Sequence, residues 1–156
     1  MSTNKILSVN NLSTHFALPD GTLKAVDGVS FDVNERQTVG IIGESGCGKS
    51  VTAQSIMRIV PKPGQISSGS IEFTKSGQNP TDLVGLEKDG KTIRSIRGGE
   101  ISMIFQEPLT SLSPVHTVGD QITEMLLLHS TNDQAEAKDI AIDMLARVGI
   151  SNPQLR

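Results

Sequence analysis

A chain of 156 residues, 36% hydrophobic and 20% charged, is long enough for one domain with a buried core. Its net charge of −3 argues against broad nucleic-acid binding, and four Phe with no Trp or Tyr are too few for a platform of stacked bases. The single cysteine, Cys47, permits no internal disulfide and fits a reducing compartment; no apolar run approaches the roughly 20 residues of a membrane span, and residues 1–5 lack a signal-peptide apolar region.

In chain order, Ile6, Leu7, Ser8 and Val9 read as a strand. Pro19-Asp20-Gly21 is a strong turn, with residues 13–18 and 22–26 as its arms, and residues 29–33 alternate as a further strand. These segments predict an antiparallel β layer over residues 5–35. Residues 38–42 are β-branched and apolar on both faces, the pattern of a strand buried in a parallel sheet. Residues 50–60 predict a helix with Val51, Ile56, Met57 and Val60 as apolar positions, stopped by Pro61 and Pro63. Beyond it come a strand over 69–73, a loop over 76–80 and a short basic helix over 91–97. Residues 101–105 read as a second buried strand ending at Gln106, and Pro108, Ser111, Ser113 and Pro114 mark a long polar loop. Thr117, with Asp120 three residues on, opens a helix whose apolar face is Val118, Ile122, Met125 and Leu126. Asp133 and Glu136 open another, striped by Ala137, Ile140, Ala141, Met144, Leu145 and Val148 and closed by Gly149.

The strand-to-helix change falls on Gly43-Glu44-Ser45-Gly46-Cys47-Gly48-Lys49-Ser50, which matches G-x-x-x-x-G-K-[ST] in full. Backbone N–H groups can converge on phosphate oxygens only where Cβ atoms do not obstruct, which Gly43, Gly46 and Gly48 ensure. The helix N-terminus faces the anion, Lys49 adds a mobile charge for the β- and γ-phosphates, and Ser50 offers a hydroxyl to Mg²⁺. The loop predicts binding of a nucleoside triphosphate, MgATP above others. Cys47 reads as a small filler; the alternative is a thiol with a depressed pKa whose alkylation blocks the nucleotide.

More of the chain carries a resemblance. Lys24-Ala25-Val26-Asp27-Gly28-Val29-Ser30-Phe31, the phosphate loop, Met103-Ile104-Phe105-Gln106-Glu107-Pro108-Leu109-Thr110-Ser111-Leu112 and Val115-His116-Thr117-Val118-Gly119-Asp120-Gln121-Ile122 together resemble the ATPase subunits of ABC transporters, within them the oligopeptide and dipeptide importers. The likeness runs from about Leu7 to the end of the chain. It implies an α/β P-loop NTPase core fragment with an N-terminal antiparallel β layer and the start of the helical subdomain. The divisions expected are residues 5–35 for the β layer, 38–106 for the P-loop core with an insertion, and 107–156 for the Q-loop and helical subdomain.

By that resemblance Phe16 stacks on adenine and Gln106, the Q-loop glutamine, reaches Mg²⁺ and the attacking water. The nucleotide-binding set is then Phe16, Gly43, Glu44, Ser45, Gly46, Cys47, Gly48, Lys49, Ser50, Val51 and Gln106, with Ser50 and Gln106 also toward the metal. The partners implied are transmembrane permease subunits, a second ATPase subunit and, indirectly, a solute-binding protein, at the cytoplasmic face of the membrane. His15, His116 and His129 match no catalytic histidine of the family. Arg36-Gln37 and Ser113 depart from its common residues.

The larger departure is that neither an L-S-G-G-Q signature nor an apolar strand ending in Asp-Glu occurs in the sequence. The chain is therefore expected to stop short of the signature helix, to bind nucleotide with little or no turnover, and to leave residues 38–42 with an unpaired apolar edge. Two other readings stay open. One is a different P-loop enzyme, a GTPase or kinase: Asp82-Leu83-Val84-Gly85 imitates D-x-x-G, without an N-K-x-D after it to read guanine. The other is a truncated module that occupies a partner surface without productive nucleotide use.

Overall fold

The computed structural model describes residues 4–106 and 112–155. The chain divides into two compact units, residues 1–97 and 98–156.

In the first unit, β1 (Lys5–Leu18) and β2 (Gly21–Asn34) form one long antiparallel hairpin. Leu18 pairs with Gly21, so Pro19 and Asp20 make the reversal. The four short strands expected here merge into two. Register shifts between Val9 and Leu12, and again between Leu12 and Thr14, absorb the interruptions as bulges instead of ending the ladder. β3 (Gly64–Phe73) starts earlier than residue 69 and pairs antiparallel with the other edge of β1. The short β4 (Thr81–Asp82) completes the order β2-β1-β3-β4. Because β1 is central, it supplies much of the core: Val9 and Leu12 are buried with Val26 of β2 and Ile71 of β3. Leu83 and the α2 (Lys91–Ile96) residues Ile93 and Ile96 are buried as well. Each such aliphatic contributes about 1.5–3 kcal/mol by leaving water.

The helix after the phosphate loop, α1 (Lys49–Ile56), is shorter than predicted, and the residues it buries most deeply are polar ones flanked by the predicted apolar positions. Thr52 and Ser55 are its buried residues, while Val51 and Ile56 are half-buried, and Met57 and Val60 are buried beyond its end. Small hydroxyl side chains let the helix lie close to β1 and β2, and their polarity is satisfied. Thr52 Oγ1 donates to the Gly48 carbonyl at 3.0 Å, and Ser55 Oγ donates to the Val51 carbonyl at 2.7 Å. Ser55 Oγ also lies 2.8 Å from Thr14 Oγ1, buried in β1. A serine has one hydroxyl proton, so Thr14 supplies the proton of this inter-element bond.

The prolines do not stop α1. Arg58, at φ 56°, takes the left-handed conformation, its amide donates to the Ser55 carbonyl and the Ile59 amide to that of Gln54. This is a Schellman ending with arginine where glycine is usual. The left-handed backbone costs a residue bearing Cβ about 1 kcal/mol.

Residues 38–42 are not a strand, contrary to the sequence pattern, and Ile42 is 97% exposed. Residues 102–105 likewise form no ladder, and Ile104 is 93% exposed. β-branched apolar residues suit a pleated, buried surface, but a strand exists only when a neighbour takes its amides and carbonyls. Among the described residues the single sheet comprises β1 to β4 and includes neither segment.

The second unit contains α3 (Val118–His129), α4 (Gln134–Arg147) and a 3₁₀ turn at Pro153–Leu155. Both predicted N-caps are in place. Thr117 Oγ1 accepts from the Asp120 amide at 3.0 Å, and Asp133 Oδ1 accepts from those of Ala135 and Glu136. Gly149, at φ 82°, ends α4 with the pair of bonds seen after α1, from its own amide to Ala146 and from Ile150 to Leu145. Leu126, Ala137 and Ala141 form the core, with Ile122, Leu127 and Ile140 against it. Met125, Met144 and Val148, expected on the apolar faces, are instead exposed. Small alanines bring the two helices together over a narrower seam than the sequence stripe implies. Pro108 and Ser111 of the predicted polar loop lie outside the described residues.

Candidate phosphate-binding site

Residues 43–50 form the turn into α1, and most of this segment is exposed. The helix begins at Lys49 with Gly48 as N-cap. No side chain bonds the freed amides, and no acidic residue lies in the first turn to compete with an anion. The first intrahelical bond of this turn runs from the Thr52 amide to the Gly48 carbonyl at 2.8 Å. The earlier amides of the turn, those of Lys49, Ser50 and Val51, meet no main-chain acceptor in the helix. Such an uncapped start is a ready anion site, carrying roughly half a positive charge from the helix dipole.

Gly48 is required twice over. Its φ of 92° lies in the left-handed region, and a Cβ there would sit 2.1 Å from the Ala25 carbonyl oxygen of β2. The sheet thus forms a backstop for the loop, a role for Ala25 that no residue type in the sequence signals. At Gly43 a Cβ would sit 2.5 Å from Cys47 Sγ, so the thiol packs against that glycine.

Lys49 Nζ curls back over the loop. It donates to the Gly43 carbonyl at 2.7 Å and the Glu44 carbonyl at 2.6 Å, with Cys47 Sγ at 3.4 Å. Its charge is held at the loop by two neutral acceptors, which an anionic oxygen can displace. Ser50, in the first turn, is exposed, and Val51 is half-buried. The loop therefore unites its own predicted residues in one place.

Phe16 is half-buried on β1, opposite Leu23 on β2 and Gly64 on β3. Its ring lies against Gly64, where a Cβ would meet Phe16 Cε1 and Val60 Cγ1, each at 2.6 Å. Gln106 is exposed in the second unit. His15 is half-buried, with its Nε2 buried and unpartnered. His116 is exposed, and His129, in the last turn of α3, lies against Gly98.

Comparison with known proteins decides the family. The family model described as ABC transporter matches residues 26–155. The chain belongs to the ABC transporter family. Among curated ABC relatives, it is 47% identical over 150 residues to the dipeptide transport ATP-binding protein DppD of Bacillus subtilis, covering 96% of this chain and 43% of that protein. It is 45% identical over 151 residues to the probable peptide ABC transporter ATP-binding protein y4tR of Sinorhizobium fredii, covering 97% and 43%. The chain thus spans less than half the length of these relatives. A solved ABC transporter cassette, dimeric MJ0796, shares the fold with a TM-score of 0.73 at 20% identity, over 90% of this chain and 56% of that one. The fold is accordingly that of an ABC ATPase cassette in its N-terminal part: an antiparallel β layer, the P-loop helix and the helices that follow. Among the described residues no helix is long and apolar enough to cross a membrane.

Proposed function

We propose that this chain is the nucleotide-binding part of the ATPase subunit of an ABC importer for peptides, holding MgATP on residues 43–50. The observation that carries this reading is the poise of Lys49. Its ammonium rests on two loop carbonyls beside an uncapped helix start, so phosphate oxygens can replace those carbonyls without a refolding step. The Lys49 ammonium then neutralises the β- and γ-phosphates, and the amides of Gly48, Lys49, Ser50 and Val51 donate to the phosphate chain. Ser50 presents its hydroxyl to Mg²⁺. Bound Mg²⁺ supplies charge neutralisation across the phosphates. Phe16 offers a ring face to adenine, and Gln106 reports nucleotide state toward permease subunits and a second ATPase subunit. Peptide as cargo rests on the names of the relatives, which are peptide and dipeptide transport proteins.

This chain's own residues bind and orient. The sequence holds no aspartate–glutamate strand end to position water, so turnover by the purified chain is expected to be negligible. Titration calorimetry tests the binding. MgATP should bind, Lys49→Ala should weaken it at least about tenfold, and GTP should compete poorly. Absence of heat with every magnesium nucleotide would refute the proposal. Nucleotide should also shield Cys47 from a thiol reagent, because Sγ packs on Gly43 at the mouth of the loop; equal labelling with and without MgATP would count against it.

A further inference from the structure

Outside the phosphate loop, the first unit holds a second group of cations. Arg58, Val60, Gly64, Gln65, Ile66 and Lys88 line a cavity of about 220 Å³, and no carboxylate is among them. Arg58 Nη2 donates to the Leu86 carbonyl at 3.3 Å, Lys88 Nζ to the Val60 carbonyl at 3.0 Å, and Arg97 Nη2 to the carbonyl of Lys88. All three charges are thus tied to neutral main-chain acceptors. The ion pairs of Lys5 with Asp32 and of Lys24 with Asp27 lie elsewhere. The Nε atoms of Arg58 and Arg97 are buried with no partner.

The field of Asp82 reaches Arg58, and Asp82 Oδ1 already accepts from the amides of Ile71 and Val84. Burial lowers the Arg58 pKa, Asp82 opposes that shift and Arg97 adds to it. Within the cavity lining itself the two cations, Arg58 and Lys88, face no carboxylate. Arg58 and Arg97 are half-buried and Lys88 is exposed, but a buried guanidinium nitrogen without a partner signals a missing acceptor, either an anion or water. The backbone at Arg58 strengthens the case. A left-handed helix end is where glycine sits without strain, and here the position carries a guanidinium.

We propose that this cavity binds a small tetrahedral oxyanion, inorganic phosphate or a phosphomonoester, through Arg58, Lys88 and the Gln65 side-chain amide. A guanidinium presents a fork matched to two oxygens, and an ammonium keeps two further N–H donors after bonding Val60. The volume is below that of sites for drug-sized ligands, which selects a small one.

The test must separate this site from the phosphate loop. In the Lys49→Ala chain, followed by amide NMR, inorganic phosphate and glycerol phosphate are titrated in parallel. Shifts at Gly64, Gln65 and Lys88 that persist without Lys49 are expected. Saturation by phosphate alone assigns a free-ion site, and tighter saturation by glycerol phosphate assigns a monoester site. Arg58→Gly, which keeps the left-handed backbone, and Lys88→Met should each weaken binding about tenfold while leaving MgATP binding to the parent loop unchanged. Arg58→Lys, which preserves charge without the fork, should fall between. The proposal is overturned if phosphate shifts only residues 43–51, or if Arg58→Gly and Lys88→Met both bind as the parent does.

Discussion

The hairpin of β1 and β2 and the segment that follows it, residues 38–42, have similar strand-forming sequences and opposite fates. Each hairpin strand has its partner across a two-residue turn, and its inward side chains are buried. Residues 38–42 have no partner strand among the described residues, and Ile42 is almost fully exposed. Strand propensity is local and a ladder is not. Pairing across a short turn costs little closure entropy, whereas a partner far along the chain must be present and docked before its contacts repay that cost.

The contrast can be broken by mutation. Leu12→Ala, inside the paired sheet and with no exposed surface, should lower unfolding free energy by about 2–5 kcal/mol in denaturant titration. A loss under 1 kcal/mol would mean that the hairpin is not the stable half of the comparison. Gly48→Ala, in the phosphate loop where it meets β2, should cost about 1–3 kcal/mol from the left-handed backbone and the clash with Ala25, and should also weaken MgATP binding. Ile42→Ser, in the exposed segment, should change stability by no more than about 0.5 kcal/mol; a large loss would show that this residue is buried in solution.

A pH series sharpens the sheet side further. The Lys5 ammonium at 2.8 Å and the Ser8 hydroxyl at 2.6 Å hold Asp32 below the usual carboxylate range. A depressed carboxylate stabilises the fold above its unfolded pKa, and that contribution fades as pH falls through the lower folded value. The difference between parent and Asp32→Asn should therefore be constant above about pH 5 and shrink below about pH 4. A difference unchanged down to pH 2 would remove Asp32 as its source.

What the sequence made legible was local chemistry. Pro19-Asp20-Gly21 placed the hairpin, Thr117 and Asp133 placed two helix starts, and Gly149 placed a helix end. The glycine pattern and Lys49 located the phosphate loop. Three features were not legible. Residues 38–42 and 101–105 carried the right residue types, but no local signal tells whether a neighbour is present. The apolar pattern of α1 marked the side that it buries but not its most buried residues, because Thr52 and Ser55 are masked by their polarity until Thr14 is seen opposite. Arg58 at a helix end is invisible because residue type gives no warning of a left-handed backbone there.

The hydroxyl contact between Thr14 and Ser55 has a further consequence for aim. Greasy side chains can slide over one another with little change in energy, but a proton shared at 2.8 Å resists rotation and translation alike. A single such peg between strand and helix sets the heading of α1, and with it the direction in which its leading amides point. Thr14→Val would leave the fold its bulk and loosen that heading, like a compass needle with its pivot worn.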